Sequence, residues 1–228
     1  MHKLKFMRCI SGLCLLLGLN LPSFAADCDK LPPSSVSVKR LEEPLVLNLN
    51  YSYKALKGMS ADYSRHNTQV LGLTRGQSTT SVKTSSKVQT DASGRWECAS
   101  HQINLEYGFS PMTVYVGKEF PQGSCAYKEI YEHEMKHVRT YQEHAKKIEQ
   151  EINESLKQRF ETSTPTRGAR GETQQRLNVE INERWMPYIK RLLDQANAEQ
   201  RLVDSPEEYE RVASSCDNAI KKQLTITR

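Results

Sequence analysis

The chain has 228 residues, 26% of them charged, and a formal net charge of +5. Three basic residues, Lys3, Lys5 and Arg8, fall in the opening segment. Without them, the 32 basic residues drop to 29 against 27 acidic ones, so the charge gives no footing for nucleic-acid binding.

Residues 1–25 read as a signal peptide. A basic start is followed by the mostly apolar run from Ile10 to Leu21, and Ser23-Phe24-Ala25 supplies small residues at the cleavage positions. The run is shorter than the ~20 residues a spanning helix needs, so no stable membrane insertion is expected once the signal is removed. Residues 26–228 then form a single exported domain, periplasmic or extracellular, with a β-rich part over 26–120 and a helical part over 121–228. About 200 residues suffice for one sizeable core. The expected fold class is α+β.

In the β-rich part, Leu45, Leu47, Leu49, Tyr51 and Tyr53 alternate with smaller or polar residues, the period of a half-buried strand. Residues 70–90, rich in Ser, Thr and Val, read as strands or a hairpin. Ile103, Leu105, Tyr107 and Phe109 alternate again and are expected to stop at Ser110-Pro111. A short strand, Thr113 to Val116, is expected to end at Gly117.

Ser124 is a candidate N-cap for a helix running to about Phe160, roughly 55 Å long. Residues 161–173 read as a polar loop. A second helix is expected from about Gln174 to Leu202, kinked at Pro187. Ser205-Pro206-Glu207-Glu208 combines an N-cap serine, proline at the first helical position and a capping-box glutamate, and so starts a third helix.

Four cysteines remain after the signal: Cys28, Cys98, Cys125 and Cys216. An even number in an exported chain reads as two disulfides, with three possible connectivities. Cys28–Cys98 with Cys125–Cys216 is the favoured pairing, tying strand to strand and helix to helix.

The chemistry lies in His133-Glu134-Met135-Lys136-His137. Residues four apart on a helix stack, so both imidazoles can reach one Zn2+ while the glutamate lies beside a water molecule as general base. At about 100° per residue, His137, Tyr141 and Ile148 fall within roughly 20° of Ile130, and Glu134 within roughly 40°. The polar triplet therefore belongs to the buried side of the helix, where two stacked histidines need a partner.

A catalytic zinc site takes a third protein ligand. The extended pattern that places glycine and histidine further along the helix is not met, because those positions are Thr140 and Glu143. His144 lies about 10.5 Å beyond His137 along the helix, too far to share the ion. Glu180 is the favoured third ligand, with Glu207, Glu208 and upstream His101 as alternatives. The strand Thr113 to Val116 is a candidate for pairing with an extended peptide.

These residues resemble the zincin metallopeptidases. More narrowly, the chain looks like a family of small secreted bacterial proteins predicted to be Zn-dependent proteases. The resemblance rests on the export signal, Trp96-Glu97-Cys98 leading into a strand, Cys125-Ala126-Tyr127 ahead of the histidine motif, and a helical tail ending near Cys216. It implies a zincin-like fold with His133 and His137 as ligands and Glu134 as base. Members often carry a further His-Gly element near the C-terminus; this chain has none, which leaves the third ligand open.

The leading expectation is thus a zinc-dependent peptidase acting on peptide or protein substrates. The alternatives are a non-catalytic cell-envelope interaction protein with a structural or eroded metal site, and a zinc amidase acting on peptidoglycan.

Overall fold

The computed structural model describes residues 28–60, 69–162 and 164–226. The expected signal peptide lies outside the described residues. The fold is mixed α+β with an open sheet. Strands β1 (Ser35–Arg40) and β2 (Val46–Asn48) precede helix α1 (Tyr53–Met59), and the long strands β3 (Gly72–Thr90) and β4 (Trp96–Val116) follow. Then come α2 (Cys125–Phe160), β5 (Thr166–Ala169), α3 (Glu172–Glu180), a π-helical turn over Ile181–Trp185, α4 (Met186–Asp194), α5 (Ala196–Val203) and α6 (Pro206–Ile226).

Strand β4 is the spine of the sheet. On one side it pairs antiparallel with β3 over nearly its whole length. On the other it pairs in turn with β5 at Trp96–Ala99, β1 at Gln102–Tyr107 and β2 at Thr113–Tyr115. Among the described residues, β3 is therefore an edge strand. The alternating residues Ile103, Leu105, Tyr107 and Phe109 are buried against α2, and the Tyr107 hydroxyl donates to Ala145 O at 2.9 Å. Helices α2 and α4 cover this face, while Asn104 on the other face is exposed.

Several local expectations are corrected. The pattern over residues 45–53 yields only the short β2, because Ser52 caps α1 by accepting from Ala55 N at 3.1 Å and the helix buries Tyr53 and Leu56. The hairpin falls between β3 and β4 rather than within residues 70–90. Its turn is closed by Asp91 Oδ1, which accepts from Arg95 N and Trp96 N, and by Gly94 at φ +69°. Strand β4 runs through Ser110-Pro111: opposite it, the register of β3 shifts between Gly76 and Ser78, so the proline is passed at an irregularity in the ladder.

The segment 161–173 is not wholly a loop, because β5 pairs with the start of β4. The expected second helix is divided. Pro187 lacks an N–H, and the chain widens into the π turn just before it, where Met186 N bonds Ile181 O. The expectation for α2 holds: Ser124 Oγ accepts from Tyr127 N at 3.1 Å, and the helix extends to Phe160.

Two disulfides close the structure in the favoured pairing. Cys28 joins Cys98, and Cys125 at the first turn of α2 joins Cys216 in α6.

Candidate metal centre

His133, Glu134 and His137 occupy the side of α2 that faces β3, α5 and α6. His133 and Glu134 are buried, and the two imidazole rings lie 5.0 Å apart in an edge-to-face arrangement. The third residue that joins them is Asp204. Its Oδ1 lies 3.3 Å from His133 Nε2 and 3.1 Å from His137 Nε2. Together, His133, His137 and Asp204 offer ligand atoms all within 4.8 Å of one another.

Asp204 is the residue after α5, in the short turn before Ser205 caps α6 by accepting from Glu208 N at 3.2 Å. That cap fixes the turn and so holds Asp204 over the histidines. It also places Glu208 behind His133, where Oε1 accepts from His133 Nδ1 at 3.3 Å. Lys136 and Arg211 donate to the same carboxylate. The Arg211 bonds, against a smaller opposing cost of burial, hold Glu208 far below the usual carboxylate range, with Lys136 and His133 adding to the effect.

His137 is oriented by Gln200. The Gln200 side-chain nitrogen donates to His137 O at 3.1 Å, which turns its carbonyl oxygen to accept from His137 Nδ1 at 2.6 Å. Each Nδ1 faces an acceptor oxygen, so a ring protonated there satisfies that bond, and each Nε2 faces the Asp204 carboxylate. Such a cluster of acceptors requires positive charge at its centre: protons on the rings, or a cation. Burial works against ionised Asp204, yet the contacts with His133 and His137 outweigh it and hold the acid far below its ordinary value. Burial lowers the pKa of His137 too, but Asp204 and Glu134 raise it by more.

This donor set could hold a metal ion. Zinc bonds of 2.0–2.1 Å in a tetrahedron put ligand atoms about 3.3 Å apart; the two Nε2–Oδ1 separations are 3.3 and 3.1 Å, and all the ligand atoms lie within 4.8 Å of one another. Two imidazoles and one carboxylate make three protein ligands, with the cavity on the remaining side.

Glu134 is held from the sheet. Thr74 Oγ1 donates to Glu134 Oε2 at 2.8 Å. Burial pushes the Glu134 carboxyl up, and the two histidines and Thr74 offset only part of that rise. Gly72 passes so close that an added Cβ would lie 2.6 Å from Glu134 Oε1. In front of these groups opens a cavity of about 570 Å3, lined by His133, Glu134, His137, Gln200 and Asp204 among others.

The remaining sequence candidates lie elsewhere. Glu180 makes a two-pronged ion pair with Arg159, both bonds 2.7 Å. Arg159 is 22 residues beyond His137 on the same helix, about 33 Å away along its axis, so Glu180 cannot be the third ligand. His101 bonds Ser86 at 2.6 Å, and His144 Nε2 donates to Leu192 O at 2.8 Å. Glu207 has its carboxyl lowered by a bond to its own backbone and one to Ser205. The strand Thr113–Val116 is paired on both sides by β2 and β3, which leaves no edge for a peptide; the edge beside the cavity is β3 at Gly72–Thr74.

Helical periodicity does not mark Asp204, because it lies in the turn after α5 rather than on a helix face. The usable signal was the capping sequence directly after it, which forces a tight helix–helix turn at that point. Comparison of the chain with protein-family models, curated proteins and solved structures yields no match.

Proposed function

We propose that the protein is an exported zinc-dependent peptidase with a zincin-like site, in which His133, His137 and Asp204 hold the ion and Glu134 is the general base. The observation that carries this reading is the convergence of three ligand atoms beside a buried carboxylate, all facing one open cavity. When bound, Zn2+ supplies Lewis acidity, polarising a carbonyl and acidifying water near neutral pH.

The protein's own groups do the rest. Glu208 and Gln200 set the ring orientations by holding each Nδ1–H. Thr74 occupies Glu134 Oε2, leaving Oε1 to take a proton from water and pass it to the leaving amine. Burial, by raising the Glu134 pKa, makes it a better proton acceptor than an exposed carboxylate. Gly117 N bonds Leu71 O, and the alternation of an antiparallel ladder then turns the main-chain groups of Gly72 and Thr74 toward the edge of β3 that pairs with no strand among the described residues. An extended peptide can pair there, next to Glu134.

Two disulfides support export to an oxidising compartment, and among the described residues no helix is long and apolar enough to cross a membrane. A purely structural zinc is normally closed by four protein ligands, whereas this group has three and a cavity in front.

The test is hydrolysis of a mixed peptide library by the zinc-loaded protein and its Glu134→Gln variant. The expected result is equal zinc in both and turnover at least 100-fold lower in the variant, the scale of a general base. Equal turnover in the two proteins overturns the role of Glu134, and no turnover in either overturns the peptidase reading.

A further inference from the structure

The cavity is polar around the metal ligands and apolar beyond them. Its apolar wall consists of Leu71, Ile130, Tyr209, Val212, Ala213 and Leu224. Ile130 stands one turn before Glu134 on α2, and the Tyr209 ring lies 6.0 Å from that of His133. The wall therefore begins at the metal ligands rather than at a distance from them.

Leu224 reaches this wall because α6 does not run straight. Ser215 is extended, and Cys216, Asp217 and Asn218 follow in the left-handed region at φ 56°, 54° and 60°. L residues adopt that conformation at a cost, and here it folds the last two turns back. Three features hold the returned segment: the disulfide to Cys125, the fully buried Ile220, and a 2.6 Å ion pair between Lys221 and Glu210. Glu210 also borders the cavity, and its pairing with Lys221 leaves the apolar side chains to set the pocket's character. Ala213 and Leu224 are only half-buried, so neither is fully packed away in the core.

Ile130 and Val212 are buried in the core and Leu71 and Leu224 pack against it, while the same residues with Ala213 and Tyr209 line a cavity of about 570 Å3, a volume typical of a ligand cleft.

We propose that this wall is the specificity pocket of the site and receives one bulky apolar side chain, of leucine or phenylalanine size, from a residue flanking the cleaved bond. Ala213 provides the room, and Leu224 closes the wall. The inference rests on the peptidase reading. Burial of such a side chain, rather than alanine, is worth about 10- to 100-fold in kcat/KM.

The experiment uses a peptide series differing only in one residue beside the cut, set to Ala, Leu, Phe, Asp or Lys. It compares the zinc-loaded protein with Ala213→Phe and Leu224→Ala, with zinc content and circular dichroism confirming that each variant folds. Binding of the Phe and Ala peptides to Glu134→Gln, measured by calorimetry, provides a readout that does not need turnover. The expected result is a 10- to 100-fold preference for Leu and Phe, reversed toward Ala by Ala213→Phe and broadened to larger residues by Leu224→Ala. The Glu134→Gln protein should bind the Phe peptide more tightly. Equal handling of Ala and Phe peptides, or a preference that survives Ala213→Phe, overturns the proposal. Selective binding of the Phe peptide without turnover by the native protein leaves the pocket standing and overturns the peptidase reading instead.

Discussion

As the proposed general base, Glu134 would have to be ionised in a site where burial opposes the charged form. Its position is fixed by Thr74 on one carboxylate oxygen and by the close passage of Gly72 beside the other. A methyl group at Gly72 would come within 2.7 Å of Glu134 Cγ and 2.8 Å of Ile130 Cγ2, so the Glu134 side chain has to move. Gly72→Ala is expected to lower kcat by about 100-fold, the penalty of a displacement near 1 Å, while zinc content stays at the wild-type level. Peptide assays paired with metal analysis would show it, and unchanged turnover would mean the contact does not position Glu134. The histidine–glutamate motif was legible in sequence because it is local: helix periodicity alone brings the three groups to one side. The roles of Gly72 and Thr74 were not legible, since they depend on which strand lies against that side.

A buried carboxylate joins two elements beside the apolar core. Glu97, on β4, accepts from Gly171 N at 2.8 Å and from Thr173 N at 3.0 Å, and from the Thr173 hydroxyl, so it ties the start of α3 to the sheet. Burial opposes its ionisation, but these bonds win and its pKa lies below the ordinary value. Glu97→Gln puts an amide N–H against a backbone N–H and should cost about 1–3 kcal/mol in urea denaturation at neutral pH. Because the folded-state pKa is depressed, the stabilisation is present above the unfolded value of about 4.3 and fades as pH falls through the folded value. The gap between wild type and variant should therefore narrow below about pH 4. A gap that is constant with pH would rule out the ionised form as the source. Element boundaries were legible where capping was local, as at Ser124 and Ser205. They were misread where a partner decides, as at Pro111, which β4 passes because β3 slips register opposite it.

The whole molecule is what assembles the site. The motif comes from α2, the proposed third ligand from the α5–α6 turn, and the positioning groups from β3, α5 and α6. The Cys125–Cys216 disulfide ties α6 to the start of α2 across 91 residues of sequence. Replacing both cysteines with alanine is expected to remove up to about 4.6 kcal/mol of stability, from the chain entropy of a loop that long. Thermal denaturation measures this, and an unchanged Tm would contradict it. Long-range placement also explains the misassigned ligand. Glu180 borders an apolar helix face in sequence, but the fold carries it to Arg159 at the far end of α2. Asp204 sits in a turn with no periodicity to mark it. The most direct test of the metal centre is zinc affinity, measured by competition with a chromogenic chelator, for the wild type, Asp204→Ala and Glu180→Ala. The prediction is one zinc per wild-type chain, an unchanged affinity in Glu180→Ala, and a loss in Asp204→Ala beyond the 10- to 100-fold typical of removing an outer partner. Wild-type affinity in Asp204→Ala, or its loss in Glu180→Ala, would contradict the assignment of the third ligand.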